Sequence, residues 1–164
     1  LLLAPALVPS ITFSMGIHIF FIYTGLADTM MGVICILTMY SYPYMFRSLI
    51  SGFKAYGSDY EICARHLGAG LLQRILQIDL PLLLPSFIAG GTVVFLVAFS
   101  EYFLVFLIGG GRVPSFTGYL FPFLQSSDRP IASLLTLFFL VIPLVLFILL
   151  EISINRMYRK MGLL

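Results

Sequence analysis

Side chains that could do chemistry are few in this sequence, and they lie far apart along it. The 164 residues include two histidines, two cysteines and seven carboxylates. Cys35 and Cys63 show neither the C-x-x-C spacing nor a Cys/His pattern that would hold a metal. The G-x-x-x-x-G-K-[ST] pattern of ATP-binding loops is absent, as are G-x-S-x-G and H-E-x-x-H. The sequence therefore predicts no catalytic residue, no metal site and no cofactor site.

A few polar side chains interrupt long apolar stretches, where they are costly in lipid and normally face protein or water. Glu101 is one. It either lines a pathway or pairs with a neighbouring helix, or it reaches the outer headgroups from a tilted helix. Ser10, Ser14 and His18 recur every fourth residue and so share one helix face. Hydrogen bonding between helices is the first interpretation of that face, and pathway lining by Ser14 and His18 is the second.

The composition of the chain places most of it in lipid. It is 60% hydrophobic and 10% charged, whereas a soluble domain is about a quarter charged. A spanning helix needs about 20 mainly apolar residues, and four stretches meet this length: 1–23, 30–49, 82–108 and 131–154. Prolines interrupt several of them. The sequence predicts an all-α integral membrane protein, a bundle of kinked spanning helices that forms a single domain over residues 1–164.

The distribution of lysine and arginine indicates the orientation of these helices, because cytoplasmic loops carry an excess of both. Most of the cations lie in or beside the 50–81 loop and the C-terminal tail (Arg47, Lys54, Arg65, Arg74, Arg156, Arg159 and Lys160). That loop and the C-terminus should be cytoplasmic. The first helix would then enter from the cytoplasm, so we expect the chain to be N-terminally incomplete. The net charge of +2 and the scattered cations indicate no nucleic-acid partner.

The 50–81 loop carries signals of ordered structure. Ser58 and Glu61 have the spacing of a capping box, in which each side chain bonds a backbone N–H of the other's residue. This predicts a short helix from Asp59 to about residue 67 that stops at Gly68 or Gly70, and then a helical stretch over 71–78. Connections between helices are usually far shorter. We therefore expect the loop to dock on another protein.

The segment Ile62-Cys63-Ala64-Arg65-His66-Leu67-Gly68, followed after nine residues by Ile78-Asp79-Leu80-Pro81, resembles a known loop. It is similar to the E-A-A-x-x-x-G-x(9)-I-x-L-P loop of the permease subunits of binding-protein-dependent bacterial ABC importers, the MetI-like superfamily. Ile62 and Cys63 stand where that family has Glu and Ala. Glu61, one residue earlier, either takes the place of the family's Glu or only caps the helix. The flanking segments LVPS, GLADT and SEYFLVFLIGGGRVPS extend the resemblance over nearly the whole chain.

The resemblance implies a MetI-like permease core in which Glu61–Gly68 is a coupling helix that sits in a cleft of a cytoplasmic ATPase. Gly68 has no Cβ, and Ala64 lies one turn earlier, so we expect both to form a small-residue docking face. The coupling residues expected from the motif are Glu61, Ala64, Gly68, Ile78, Leu80 and Pro81.

A non-enzymatic transport subunit of the bacterial inner membrane is the function that the resemblance implies. Its expected partners are ATPase subunits that hydrolyse the ATP, a second permease subunit, an extracytoplasmic substrate-binding protein and membrane lipid. The substrates of the nearest branch are thiamine, ferric iron, sulfate or polyamines. A polytopic membrane scaffold, or a channel or secondary transporter that works alone, is the alternative.

Overall fold

A computed structural model describes residues 8–126 and 129–160, with side chains as far as residue 152. Every regular element in these ranges is helical, and the predicted all-α class is confirmed. The elements are α1 (Ser10–Tyr23), α2 (Met30–Tyr56), α3 (Asp59–His66), α4 (Leu71–Arg74), a π-helical turn (Ile75–Asp79), α5 (Leu80–Ser100), α6 (Phe103–Gly109), α7 (Phe116–Gln125) and α8 (Arg129–Lys160). They form two compact units, one of residues 44–94 and one of the remainder.

Within the described ranges, three helical segments are long and apolar enough to cross a membrane: Met30–Tyr56, Leu71–Ser100 and Arg129–Ile152. They overlap the predicted spans at 30–49, 82–108 and 131–154. In the predicted first span the described helix is α1, whose 14 residues reach about 21 Å at the helical rise. Residues 1–7 of that span lie outside the described residues, as do residues 161–164 of the tail.

The core of the larger unit forms where α1 packs on α6. Its buried centre consists of four apolar side chains from α1, α2 and α6: Phe21, Ile36, Leu104 and Ile108. Aromatic rings extend the packing towards α8, because the Phe99 ring stacks on Phe116 and Phe139 with centroids 5.6 and 5.2 Å apart. Offset stacking of this kind adds to the energy of burial.

The predicted third span, 82–108, is not one helix. α5 ends at Ser100, Glu101 and Tyr102 are not helical, and α6 begins at Phe103. At this break the hydroxyl of Thr117 on α7 donates a hydrogen bond to the Glu101 carbonyl oxygen over 3.1 Å. The apolar sequence of the stretch could not predict this break, because the hydrogen-bond donor at the break belongs to another helix. The predicted connector 109–130 likewise contains α7, which is capped by Ser115, whose side chain accepts from the Gly118 N–H.

In the smaller unit, the second half of α2 lies against α5 at two glycines. A Cβ built on Gly90 would lie 2.7 Å from Met45 Sδ and 2.9 Å from Ser48 Cβ, and one on Gly52 would clash with Ser86. The Ser48 hydroxyl also donates to the Ser86 carbonyl oxygen over 2.7 Å. Small residues let helix backbones approach closely in membranes, where packing and hydrogen bonds drive association.

The helical stretch expected to end at residue 78 instead continues into the membrane-spanning helix. The Leu80 N–H donates to the Ile75 carbonyl oxygen, five residues back, which defines a π-turn. Pro81 follows immediately and has no N–H to donate. Local π-type adjustments are one way in which a helix near a proline keeps its backbone groups bonded. Leu71–Ser100 is therefore one uninterrupted helical run.

Candidate functional site

The predicted short helix of the 50–81 loop is confirmed as α3, Asp59–His66. It ends in the two hydrogen bonds of a Schellman motif, from Gly68 N–H to Arg65 O and from Ala69 N–H to Ala64 O, both 3.0 Å. Gly68 has a φ of +78°, and a Cβ at this position would meet no atom within 4 Å. A left-handed backbone is the reason that the helix stops at a glycine here.

The predicted capping box is wrong. Ser58 precedes α3, but its side chain makes no cap hydrogen bond among the described residues, and its backbone is helical, with φ −97° and ψ −6°. A capping side chain normally comes from an extended backbone that turns its oxygen towards the first N–H groups. The helix start is bonded through the Ser58 carbonyl, which accepts from Ile62 N–H over 3.0 Å.

Glu61 points to two arginines instead of the helix start. Its Oε1 lies 3.3 Å from Arg74 Nη1 and 3.7 Å from Arg65 Nη2. The Arg65 side chain is 67% exposed, so that ion pair contributes little to stability. The Arg74 side chain is only 9% exposed, and losing the partner of a buried charge is strongly destabilising. The pair with Arg74 therefore dominates, and it connects α3 to α4.

The exposed face of α3 differs from the predicted small-residue face. Ala64 is buried, with 6% exposure, and lies one turn from Glu61 on the same side of the helix. The expectation that Ala64 contributes to the docking face is therefore corrected. Its small side chain lies where α3 packs against its own unit. The exposed apolar side chains here are larger: Tyr60 and Ile62 on α3, and Leu67 just after it, which is 87% exposed.

The second half of the motif lies on the π-turn and the start of α5. Ile78 and Pro81 are half-buried there, and Leu80 is exposed. Between them, Asp79 accepts a hydrogen bond from the Tyr56 hydroxyl at the end of α2 over 3.2 Å. A cavity of about 540 Å³ lies inside the loop, lined partly by its charged and hydroxyl groups: Lys54, Tyr56, Ser58, Glu61, Arg74 and Asp79.

The predicted polar face of α1 points into the larger unit. Ser14 is fully buried and donates to the Ile11 carbonyl of its own helix over 2.9 Å. Ser10 is the residue of this face whose side chain lies near the Glu101 carboxyl group. His18 is half-buried and lines a separate cavity of about 430 Å³ together with Asp28. Of the three predicted pathway residues, His18 lines this cavity, whereas Ser14 and Glu101 do not.

The match of a family model decides which family this is. A model described as "Binding-protein-dependent transport system inner membrane component" matches residues 1–162. The chain belongs to this family. The resemblance seen in the loop motif is confirmed by this match, and the membrane-protein class agrees with the apolar helices described above.

Curated relatives of this family member are transport permeases. It is 29% identical over 137 residues to the sulfate transport system permease protein CysT of Salmonella typhimurium. The aligned region covers 82% of this chain and 48% of that protein. It is 34% identical over 86 residues to the spermidine/putrescine transport system permease protein PotB of Haemophilus influenzae, 52% of this chain and 30% of that protein. This family member thus spans about half, or less, of the length of these relatives.

Sequence patterns missed two groups in the loop of this binding-protein-dependent transport component. Arg74 is the buried partner of Glu61, and Tyr56 is the partner of Asp79. Neither pair lies within one helical turn, so no i,i+4 signal marks it. The available hint of Arg74 was that it is the one charged residue in the helical stretch 71–78.

Proposed function

We propose that this chain is the transmembrane permease subunit of an ATP-driven importer. Its helices form the translocation pathway, and a separate cytoplasmic ATPase supplies the energy, since the sequence has no phosphate-binding loop of its own. The 50–81 loop and the C-terminus face the bacterial cytoplasm. The observation that carries the proposal is α3, a short, exposed helix at the family's motif, between two segments able to span a membrane.

The exposed side of α3 supports docking of a protein at this position. Tyr60 and Ile62 on α3, and Leu67 just after it, are apolar and accessible beside the polar Asp59, Arg65 and His66. Tyr60 and Leu67 are seven residues apart and so lie on one side of the helix, and exposed apolar surface rimmed by polar groups is typical of protein interaction sites. Gly68 ends the helix in open space, so the backbone itself is accessible to a partner. The ATPase would therefore contact the apolar side chains and the glycine end of α3.

The translocation route would be formed with a second permease subunit and supplied by an extracytoplasmic binding protein. The proposed lining residues are Glu101 at the α5–α6 break, near Ser10, and His18 and Ser14 on the same face of α1 as Ser10. The relatives' names include a dianion, sulfate, and the polycations spermidine and putrescine. An uptake assay should therefore include substrates of both charges.

Matched glycine substitutions test the docking role of α3. Gly68 and Gly57 each follow a helix, with φ of +78° and +70°, and a Cβ added at either would meet no atom within 4 Å. Replacing either by arginine costs a similar strain of about 1–2 kcal/mol for the left-handed backbone. We expect Gly68→Arg to abolish ATP-dependent uptake and co-purification of the ATPase, and Gly57→Arg to retain both.

The measurement is affinity purification of the full-length permease from its native membrane, with uptake of radiolabelled sulfate and spermidine into the same cells. A Gly68→Arg permease that keeps its ATPase and normal uptake would count against docking at α3. Uptake by wild type that persists when nucleotide hydrolysis is blocked would favour a transporter that works alone.

A further inference from the structure

We infer that Glu61 and Arg74 are positioning residues, and that their ion pair carries the movement of α3 into the helix that begins at Leu71. This inference rests on the proposed function, and it assigns Glu61 a partner inside the permease instead of a contact with the ATPase. Arg74 is not part of the family's motif as it stands in this sequence.

The geometry of the pair supports a mechanical role. Glu61 lies on α3, and its Oε1 is 3.3 Å from Nη1 of Arg74, the last residue of α4. From Arg74, the chain runs without a break through the π-turn and α5 to Ser100, deep in the predicted membrane region. A displacement of α3 that carries Glu61 with it would thus pull on the cytoplasmic end of a continuous helix.

The buried charge of Arg74 makes this residue depend on Glu61 in particular. Its side chain is buried, and its Nε has no hydrogen-bond partner within the part of the chain that the structure describes. A buried guanidinium with incomplete hydrogen bonding depends strongly on the carboxylate that it does contact. Arg65, the competing partner of Glu61, is exposed and lies on α3 itself, so it cannot transmit movement between segments.

Other contacts between α3 and the spanning helices are limited. The cavity of about 540 Å³ lies among the end of α2, α3 and the α4–π segment, and Glu61 and Arg74 both line it. Apolar packing is therefore interrupted at this place. Besides the pair, the buried Ala64 side chain anchors α3, and the Tyr56–Asp79 hydrogen bond joins α2 to the π-turn without involving α3.

Substitutions of both partners test the inference in the complete importer, co-purified with its ATPase and binding protein and reconstituted in liposomes. The measured quantity is substrate imported per ATP hydrolysed, with sulfate and spermidine as the two probes. We expect Glu61→Gln to lower this ratio by about fivefold or more, the range of a moderate coupling free energy, while the ATPase still co-purifies. Asp59→Asn, an exposed carboxylate on the same helix, is the matched control and should leave the ratio unchanged.

Two double variants separate a positioning role from a structural one. Glu61→Gln with Arg74→Met removes both charges, so no unpaired buried charge remains; we expect an assembled complex that is still uncoupled. Glu61→Arg with Arg74→Glu reverses the pair. This double variant is made in an Arg65→Gln background, which removes a neighbouring like charge, and it should recover most of the ratio of substrate imported to ATP hydrolysed. Arg65→Gln alone should behave as wild type.

Several outcomes would overturn the inference. One is a wild-type ratio for Glu61→Gln. Another is full coupling in the uncharged double variant, which would make the pair purely structural. Loss of the ATPase from Glu61→Gln would mean that Glu61 contacts the ATPase directly. A wild-type complex that imports neither probe in response to ATP, or that contains no ATPase, would instead contradict the proposed function.

Discussion

Thr117 illustrates how one side chain on α7 stabilises a junction elsewhere in the chain. Its hydroxyl donates to the Glu101 carbonyl oxygen over 3.1 Å, where α5 has ended and α6 has not begun. A carbonyl at the end of a helix lacks an intrahelical donor. Inside a membrane protein such a group needs a partner, because lipid offers none. The Thr117 hydroxyl therefore stabilises the break beside the proposed pathway residue Glu101.

Replacing Thr117 by valine should lower the free energy of unfolding by about 1 kcal/mol, the usual net value of a hydrogen bond. Thr136→Val is the matched control, because the Thr136 hydroxyl donates to Ala132 within its own helix. Thermal unfolding in detergent of variants that also carry Cys63→Ser, followed by a thiol-reactive dye that reports exposure of Cys35, measures both. Equal losses in the two variants would contradict the special role of Thr117.

At the scale of elements, α2 and α5 are held together by close backbone approach. Gly90 faces Met45 and Ser48, whereas its neighbour Gly91 has open space around it. Consecutive residues of a helix point in different directions, so only one of two adjacent glycines lies at the contact. This difference explains why two glycines stand side by side without having the same role.

Alanine substitution separates the two glycines. Gly90→Ala would place a Cβ 2.7 Å from Met45 Sδ and 2.9 Å from Ser48 Cβ, and overpacking of this kind typically costs about 1–3 kcal/mol. Gly91→Ala meets no neighbour and gains helix propensity, so its stability should stay equal or rise by up to about 1 kcal/mol. The two variants are compared by their unfolding midpoints in detergent. A Gly90→Ala protein that is more stable than the wild type would contradict the close contact.

At the scale of the whole molecule, the proposed orientation in the membrane rests on the distribution of its cations. The 50–81 loop carries Arg65 and Lys54 on or near α3, and the proposed ATPase can reach α3 only if this loop lies in the cytoplasm. Cys63 is exposed on α3 and is a natural reporter of this side. Cys35 is half-buried in α2, so it can be replaced by serine to leave a single accessible thiol.

A membrane-impermeant maleimide should therefore label Cys63 of a Cys35→Ser variant only after the cells are permeabilised. Arg112→Cys, in a variant whose two native cysteines are serine, is the control for the outer side and should react in intact cells. Mass shifts of the purified permease measure both reactions. Labelling of Cys63 in intact cells would contradict the proposed orientation and, with it, docking of a cytoplasmic ATPase at α3.

Local patterns alone determined the helical membrane class, the position of α3 and its end at one of two glycines, Gly68 or Gly70. These features depend on near neighbours in the chain: runs of apolar residues indicate lipid, and a glycine is suited to the left-handed residue that ends a helix. The spacing from Gly68 to Pro81 likewise required nothing but the chain itself, and it pointed to the family.

The tertiary structure decided which face of α3 is free, that Glu61 pairs with Arg74 instead of capping its helix, and that the third apolar stretch breaks at Glu101. Each of these depends on a side chain from another segment, and hydropathy is the same for an apolar residue against lipid as for one against protein. Residues far apart in the sequence come into contact only when the backbone folds back on itself, so short-range sequence patterns do not indicate which of them will be partners.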